Sequence, residues 1–278
     1  MTIALYCILY AGVLVFLAGC IVRAISYASK PIHLRWEIYP VPHGRSGELK
    51  IMVPEILFLK GLWEFNRPMW WVSYPFHLGL YLIAAAVVLL GGASLAPGVL
   101  YPVLHDASVV CGTAGPALGL LGASGLMVRR LSAPELKPYN APGDFFNLAL
   151  FIGTTSLILA GVWFRPVGSP GPGAILQGAA RFDVNLQPSP LLAAGFMLGC
   201  ALLAYIPMTH MAHFIAKYFT YHAIRWDERG PLADGSIQRK MAEYLTYRPT
   251  WAAPHVGADG KRNWAEVATT NPTQAGAK

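Results

Sequence analysis

Three of the eight histidines fall inside long apolar stretches, where an ionisable side chain is costly and normally faces the interior of a helix bundle. They are His77, His210 and His213. A neutral imidazole binds iron through a ring nitrogen, and two imidazoles on facing membrane helices form an axial pair for a low-spin haem. These three histidines are therefore the candidate site, and a haem is the cofactor that their chemistry favours.

His77 and His213 are the pair that depth in the membrane favours. His77 lies seven residues after Trp70, and His213 lies four residues before Lys217. Because the two helices run in opposite directions, both imidazoles are expected roughly 6–10 Å inside the same membrane face, at about 1.5 Å of rise per residue. We expect them to be the axial ligands of one haem b. A purely structural pair, a metal site and a proton relay are the alternatives.

His210 needs a different role, because two histidines three residues apart on one helix share a face and cannot both ligate one iron from the same side. We expect His210 to donate a hydrogen bond to a haem propionate or to a quinone. An interhelical hydrogen bond is an equally good interpretation of the same residue.

Gly79, two residues after His77, is expected to remove bulk where a flat macrocycle must fit. The fifth span offers small residues for the same purpose: Gly195, Gly199 and Ala201. Ordinary packing of helices through small residues is the alternative for these glycines.

The elements that must position these residues are membrane helices. Hydrophobic residues make up 55% of the chain, charged residues only 13%, and the mean hydropathy is +0.44, which is more apolar than a soluble domain can conceal. Stretches of about 20 apolar residues span a bilayer, and five are present. We predict spans at 3–27, 70–93, 107–128, 144–164 and 190–215. The fold class is an all-α membrane protein with a five-helix bundle, and the first span is a retained helix rather than a signal peptide.

The distribution of Lys and Arg predicts the orientation, since basic residues near span ends stay on the cytoplasmic side. The segment 28–69 carries six of them and the chain after residue 216 carries nine, whereas 94–106 carries none. The N-terminus is thus expected outside and the C-terminus in the cytoplasm. This bias accounts for most of the formal charge of +7, so nucleic acid is not an expected partner.

The connections between the spans differ in character. The cytoplasmic connection 28–69 contains an amphipathic stretch, 54–65, that fits a helix in the membrane surface or one packed in a small extra domain. The outer connection 165–190 is rich in Gly and Pro and predicts a loop that is ordered by its contacts and has little secondary structure. We divide the chain into a membrane domain, 1–225, and a cytoplasmic tail, 226–278, expected to be disordered or laid along a partner.

The four cysteines are Cys7, Cys20, Cys111 and Cys200. All fall inside predicted spans and none forms a CxxC pair, so the sequence predicts no iron–sulfur cluster in this chain. Any cluster chemistry is expected in another subunit.

Three motifs carry a resemblance to a known family. The sequence Pro-Phe-His-Leu-Gly opens span two at Pro75, and Pro207 is followed six residues later by His213. The segment 34–43 reads LRWEIYPVPH. Over roughly residues 1–225 the chain resembles the gamma subunit (cytochrome b) family of respiratory nitrate reductase. The resemblance is strongest to relatives associated with heterodisulfide-reductase-like iron–sulfur proteins, such as the membrane subunit of the sulfite-reduction-associated complex.

The chain departs from the nitrate reductase type at two places. In that type, span two and span five each carry a further histidine for an outer haem, and here those places hold Val87 and Gly195. Neither residue ligates iron, so we expect a single haem b on the inner side. His105, at the outer end of span three, is the alternative ligand for an outer, high-spin haem.

The resemblance implies a quinone oxidoreductase of a respiratory chain. Menaquinol would be oxidised, and haem b would pass electrons to a cytoplasmic iron–sulfur subunit docked on the inner loops of a multi-pass protein in the cell inner membrane. Weak candidates for accepting the protons are His210, Glu55 and Glu64. A haem-free membrane anchor that docks a soluble redox enzyme is the alternative. A transporter or channel is disfavoured because the spans contain few carboxylates and show no sequence signature of discontinuous helices.

Overall fold

The computed structural model describes residues 1–29, 42, 44–95, 98–226, 236–253 and 257–270. Nearly all of these residues are helical. The five longest helices are α1 (Thr2–Ser29), α4 (Arg67–Leu95), α5 (Leu100–Ser132), α6 (Pro142–Trp163) and α8 (Pro190–Tyr205). Each is long and apolar enough to cross a membrane, the last when counted to Met208. The prediction of an all-α, multi-pass membrane protein with five spans is therefore confirmed.

The fifth span is where the predicted continuous helix, 190–215, is wrong. Helix α8 ends at Tyr205 and is followed by two 3-10 turns, Ile206–Met208 and His210–Ala212, before α9 (His213–Phe219) and a π-helical turn, Thr220–Arg225. Proline lacks the N–H that a continuing helix needs, and Pro207 falls at this break. Thr209 is fully extended, and its hydroxyl accepts a hydrogen bond from the N–H of Met211. The candidate ligand His213 thus begins a new helix.

The membrane helices pack in the order α4, α5, α6, α8, α1. Small residues set the close approaches, as is usual where lipid supplies no hydrophobic drive between helices. A Cβ on Gly161 of α6 would lie 2.7 Å from the Leu192 backbone, and one on Gly12 of α1 would lie 2.9 Å from the Cys200 carbonyl. A central apolar cluster joins α4, α5, α6 and α8: Phe76, Ala123, Leu148, Phe151 and Leu202.

The connection before α4 contains two helices rather than the single amphipathic stretch predicted for 54–65. Helix α2 (Gly44–Leu57) ends within that stretch, and α3 (Lys60–Phe65) follows. Leu59 separates them with a left-handed backbone (φ 51°), which reverses the local chain direction. This break brings the end of α2 and all of α3 beside the start of α4.

The connection between α6 and α8 also differs from the predicted loop, because it contains helix α7 (Pro172–Arg181). Pro172 begins this helix at a position where its missing N–H costs nothing. The fully buried Ile175 packs against Leu5 and Tyr6 of α1 and Leu192 of α8. These contacts give the Gly- and Pro-rich segment its order, which periodicity alone did not reveal.

The chain divides into two compact units, Met1–Arg225 and Trp226–Lys278. The described part of the second unit contains α10 (Ser236–Leu245), a short antiparallel pair of β1 (Ala252–Ala253) and β2 (Ala258–Asp259), and α11 (Trp264–Thr269). Trp251 and Trp264 meet edge to face at 5.8 Å, and the Trp264 N–H donates to Tyr247 O. The described part of the tail therefore has local order of its own, which disorder alone, one of its two expected states, would not give.

Candidate haem-ligating site

The rings of His77 on α4 and His213 on α9 lie side by side in the structure. Their centroids are 6.1 Å apart, and the two ring planes cross at 65°. The residues are 136 positions apart in the sequence, so the tertiary fold alone brings them together. His77 is largely enclosed by its neighbours, whereas His213 is exposed.

Each ring is held by a backbone carbonyl of its own segment. His77 Nδ1 lies 2.7 Å from Ser73 O, and His213 Nδ1 lies 3.2 Å from His210 O. A carbonyl only accepts, so in each neutral imidazole Nδ1 carries the proton and Nε2 keeps its lone pair. The Nε2 atom, on the far edge of the ring, is therefore available as a ligand. This arrangement is the usual one for histidines that bind a metal.

The ring separation matches two ligands on opposite sides of one metal ion. An imidazole nitrogen lies about 2 Å from a bound metal and the ring centroid about 1 Å further, so two centroids across one ion are about 6 Å apart. Within the described residues, no three His, Cys, Asp or Glu side chains converge to hold a metal ion. A porphyrin supplies four ligands itself and needs only two from the protein, so the pair fits a haem better than a bare ion.

An aromatic stripe on α4 leads to His77. Trp70, Tyr74, His77 and Tyr81 are spaced four, three and four residues apart, which places them on one face of the helix. Trp70 and Tyr74 stack with centroids 4.6 Å apart, and His77 and Tyr81 lie 6.5 Å apart. The opposite face of α4 packs against α5, so this stripe is turned away from that contact.

The α2–α3 connection is fastened along the same stripe. The Tyr81 hydroxyl donates to Ile56 O at 2.6 Å, and Trp70 Nε1 donates to Phe58 O at 2.7 Å. Both carbonyls lie at or just beyond the end of α2, where helix carbonyls lack intrahelical partners. The side chains of α4 satisfy them and so fix the connection beside the candidate ligand.

The turns before α9 and the helix itself are each tied to a neighbouring element. Arg23 Nε of α1 donates to Pro207 O at 2.8 Å, which satisfies a carbonyl at the break. Gly19 permits this approach, since a Cβ there would lie 2.7 Å from Pro207 Cγ. Further along, Lys217 Nζ donates to Glu55 Oε1 at 2.6 Å, and both side chains are largely shielded. Glu55 Oε2 accepts the Gly61 N–H at 2.9 Å, so this carboxylate joins α2, α3 and α9.

His210 is placed differently from His213, although the two are only three residues apart. Its Nε2 lies 3.6 Å from Asp144 Oδ1 at the start of α6, and its side chain is 65% exposed. The other carboxylate oxygen of Asp144 accepts from Arg130 Nη1 at 3.1 Å. The break in the helix turns His210 towards α6 and His213 towards α4. Asp144 is thus a neighbour on another helix, as the interpretation of His210 as an interhelical hydrogen-bonding residue requires.

Gly79 corrects one expectation from the sequence. A Cβ at Gly79 would lie 2.7 Å from Gly115 O and 2.9 Å from Gly119 Cα, so this glycine lets α4 and α5 touch backbone to backbone. Two residues along a helix are about 200° apart, so Gly79 faces nearly opposite to His77. Gly195 likewise packs on Ile158, since a Cβ added at Gly195 would lie 2.9 Å from the backbone nitrogen of Ile158. Both glycines serve helix packing rather than a slot for a macrocycle.

The remaining histidines lie elsewhere. His105 stacks on Tyr101 at 5.6 Å and its Nδ1 is 3.3 Å from Asp106 Oδ1. His222 stacks on Tyr218 at 4.1 Å, with Nε2 3.8 Å from Glu48 Oε2. Three histidines lie outside the described residues: His33, His43 and His255.

Sequence reasoning missed two charged residues that link the segment 210–217 to other helices. One is Asp144, beside His210, although a carboxylate at the first turn of a predicted span is a recognisable signal. Lys217 served only to mark the end of a span, and its pairing with Glu55, 162 residues away, has no signal in a single sequence.

Comparison of the chain with protein-family models, curated proteins and solved structures gave no match. The functional assignment therefore depends on the geometry of the candidate ligands and their surroundings.

Proposed function

We propose that the protein is the membrane cytochrome b subunit of a respiratory quinone oxidoreductase. One haem b is held between His77 and His213, and electrons pass through it between quinol and a cytoplasmic iron–sulfur subunit. The observation that carries the proposal is the pair of imidazoles 6.1 Å apart, each with Nδ1 at a backbone carbonyl.

The haem, when bound, supplies a one-electron carrier whose iron alternates between the ferric and ferrous states. The chain's own contribution is to fix both ligands and to keep water away. Ser73 O and His210 O orient the two imidazoles, and Phe76 packs edge to face on both His77 and Phe151. Such an apolar surface lowers the local dielectric constant, which in turn changes the reduction potential of a bound electron carrier.

Quinol and an iron–sulfur protein are the proposed donor and acceptor. Both are the partners that the resemblance to the cytochrome b family implies. The five apolar helices support a position in the membrane, where a lipid-soluble donor such as quinol is dissolved. Lys and Arg are concentrated in connections expected on the inner side, which suits the docking of an acidic cytoplasmic partner. The subunit is not expected to turn over without that partner.

A reduced-minus-oxidised optical spectrum of the purified protein tests the proposal. We expect a b-type band at one haem per chain, lost in His77→Ala and in His213→Ala because each leaves the iron with one protein ligand. His210→Ala and His105→Ala are the matched controls and are expected to keep the band, since neither ring lies at the pair.

The opposite result is equally clear. A native protein that carries no haem after expression with excess haem precursor contradicts the proposal and leaves a membrane anchor for a soluble redox enzyme. Retention of a normal low-spin band in both His77→Ala and His213→Ala would also contradict it.

A further inference from the structure

A groove opens beside the start of α4, on the side where α2 and α3 are fastened. It is lined by Pro54, Phe58, Lys60, Trp63 and Trp70, and its volume is about 280 Å³. Its surface is almost wholly apolar, and Lys60 is the charged residue in the lining, with its ammonium 3.5 Å from Glu64 Oε1. A volume just below the usual range for small-molecule sites suits one planar ring system.

The walls of the groove are rigid aromatic surfaces. The indoles of Trp63 and Trp70 meet at 4.9 Å with their planes at 68°. The hydrogen bond from Trp70 Nε1 to Phe58 O holds the second indole in place. Two indole faces near a right angle form a corner in which a flat, electron-poor ring can stack on one face and contact the edge of the other.

The groove lies on the same face of α4 as the candidate haem ligand. Trp70 and His77 are seven residues apart, which is close to two full turns, so their side chains project in nearly the same direction. The distance along the helix axis is about 10 Å. Tyr74, which stacks on Trp70, lies between them on the same face of the helix.

We propose that this groove binds the headgroup of an isoprenoid quinone, an inference that rests on the function proposed above. The planar ring stacks on Trp63 and Trp70, and the Lys60 ammonium donates a hydrogen bond to a quinone carbonyl oxygen. The side chain of Phe58, which is 54% exposed, borders the open side, from which the isoprenoid tail leaves into lipid. A saturated acyl chain would use neither the cation nor the flat indole faces.

Binding of the fluorescent quinol analogue 2-heptyl-4-hydroxyquinoline N-oxide to the full-length protein in nanodiscs tests the groove. We expect its fluorescence to be quenched on binding to the native protein. Trp63→Ala and Lys60→Met are each expected to weaken the Kd about tenfold, as loss of a central aromatic or charged contact commonly does. Phe65→Ala and Lys50→Met are matched controls from the same region outside the lining and are expected to bind as the native protein does, since the Phe65 side chain is 88% exposed.

The haem band is recorded on the same samples, so the two proposals fail separately. Weakened binding with an unchanged b-type band supports the groove. Unchanged binding in both Trp63→Ala and Lys60→Met overturns it, whatever the haem content. If Trp63→Ala loses its band through misfolding, Lys60→Met decides, because its exposed side chain, which lies 3.5 Å from Glu64, supports no buried contact. A native protein with a haem band but no quenching also overturns the groove.

Discussion

At the scale of single residues, backbone carbonyls decide what the histidines can do. Both candidate ligands place Nδ1 at a carbonyl one turn back, which leaves the Nε2 lone pair outside that bond. His210 has instead a carboxylate neighbour, Asp144, which is already shared with Arg130. Residue type made all three histidines equal candidates, and the local backbone separates them.

The carboxylate of Asp259 provides a pH-dependent prediction in the second unit. It accepts the N–H groups of Lys261 and Arg262, which holds its pKa at about 2. Since this pKa lies below the ordinary carboxyl value of about 3.9, the stability from these bonds is present above the ordinary value and is lost as pH falls through 2. We expect amide protection at Lys261 and Arg262 to persist at pH 4 and to disappear near pH 2, measured by hydrogen exchange with mass spectrometry.

Asp259→Asn is the comparison for that measurement. An amide cannot carry the negative charge that shortens and strengthens these bonds, so protection is expected to be weak and independent of pH between 2 and 5. Equal protection in the native protein and the variant across that range would contradict the role given to Asp259.

At the scale of elements, the α4–α5 contact is the closest in the bundle and depends on Gly79. We expect Gly79→Ala to force the two backbones apart and to lower stability by about 1–3 kcal/mol, the usual cost of overpacking. Gly91→Ala, in the same helix with nothing within 4 Å of its new Cβ, is the control. Thermal unfolding in detergent, followed by circular dichroism, compares them. Equal loss of stability in both variants would contradict the contact.

The spans were predictable, and their interruptions were not. Apolar runs of about 20 residues cross lipid as helices, because the helix pairs all of its own backbone groups. Four of the helices therefore begin and end within a few residues of their predicted bounds, except that α5 begins earlier than predicted. Pro207 sits in a run too apolar to signal a break, and Leu59 adopts a left-handed backbone that branched or bulky residues rarely take. The contacts that surround the two breaks, such as Arg23 with the Pro207 carbonyl and Trp70 with the Phe58 carbonyl, are tertiary and have no signal in a single sequence.

The break after α8 also bears on the alternatives. A transporter or channel was disfavoured partly because no broken helix was expected, and that reason no longer holds. The scarcity of carboxylates still applies, since the spans show Asp106 and Asp144 only near their ends. The unwound turns here lead directly into the candidate ligand His213, and Arg23 satisfies the Pro207 carbonyl, which fits a cofactor site in a fixed bundle.

At the scale of the whole molecule, the distribution of charge predicts the orientation in the membrane. Lys137 precedes α6 and Val167 follows it, so a helix about 33 Å long separates them across the bilayer. We expect Val167→Cys to react with an impermeant maleimide on intact cells and Lys137→Cys to react only after permeabilisation. The native protein, whose four cysteines lie within α1, α5 and α8, provides the baseline. The reverse labelling pattern would place the basic connections outside.

The turns that separate α8 from α9 also bear on how the protein is made. The fifth apolar stretch is complete at Met208, so the segment that partitions into lipid during synthesis ends before His213 is reached. We therefore expect insertion of the polypeptide to be independent of the proposed haem. With a haem bound as proposed, cofactor loading would be a separate, later stage of biogenesis, and a cell short of haem would accumulate inserted apoprotein rather than fail to insert it.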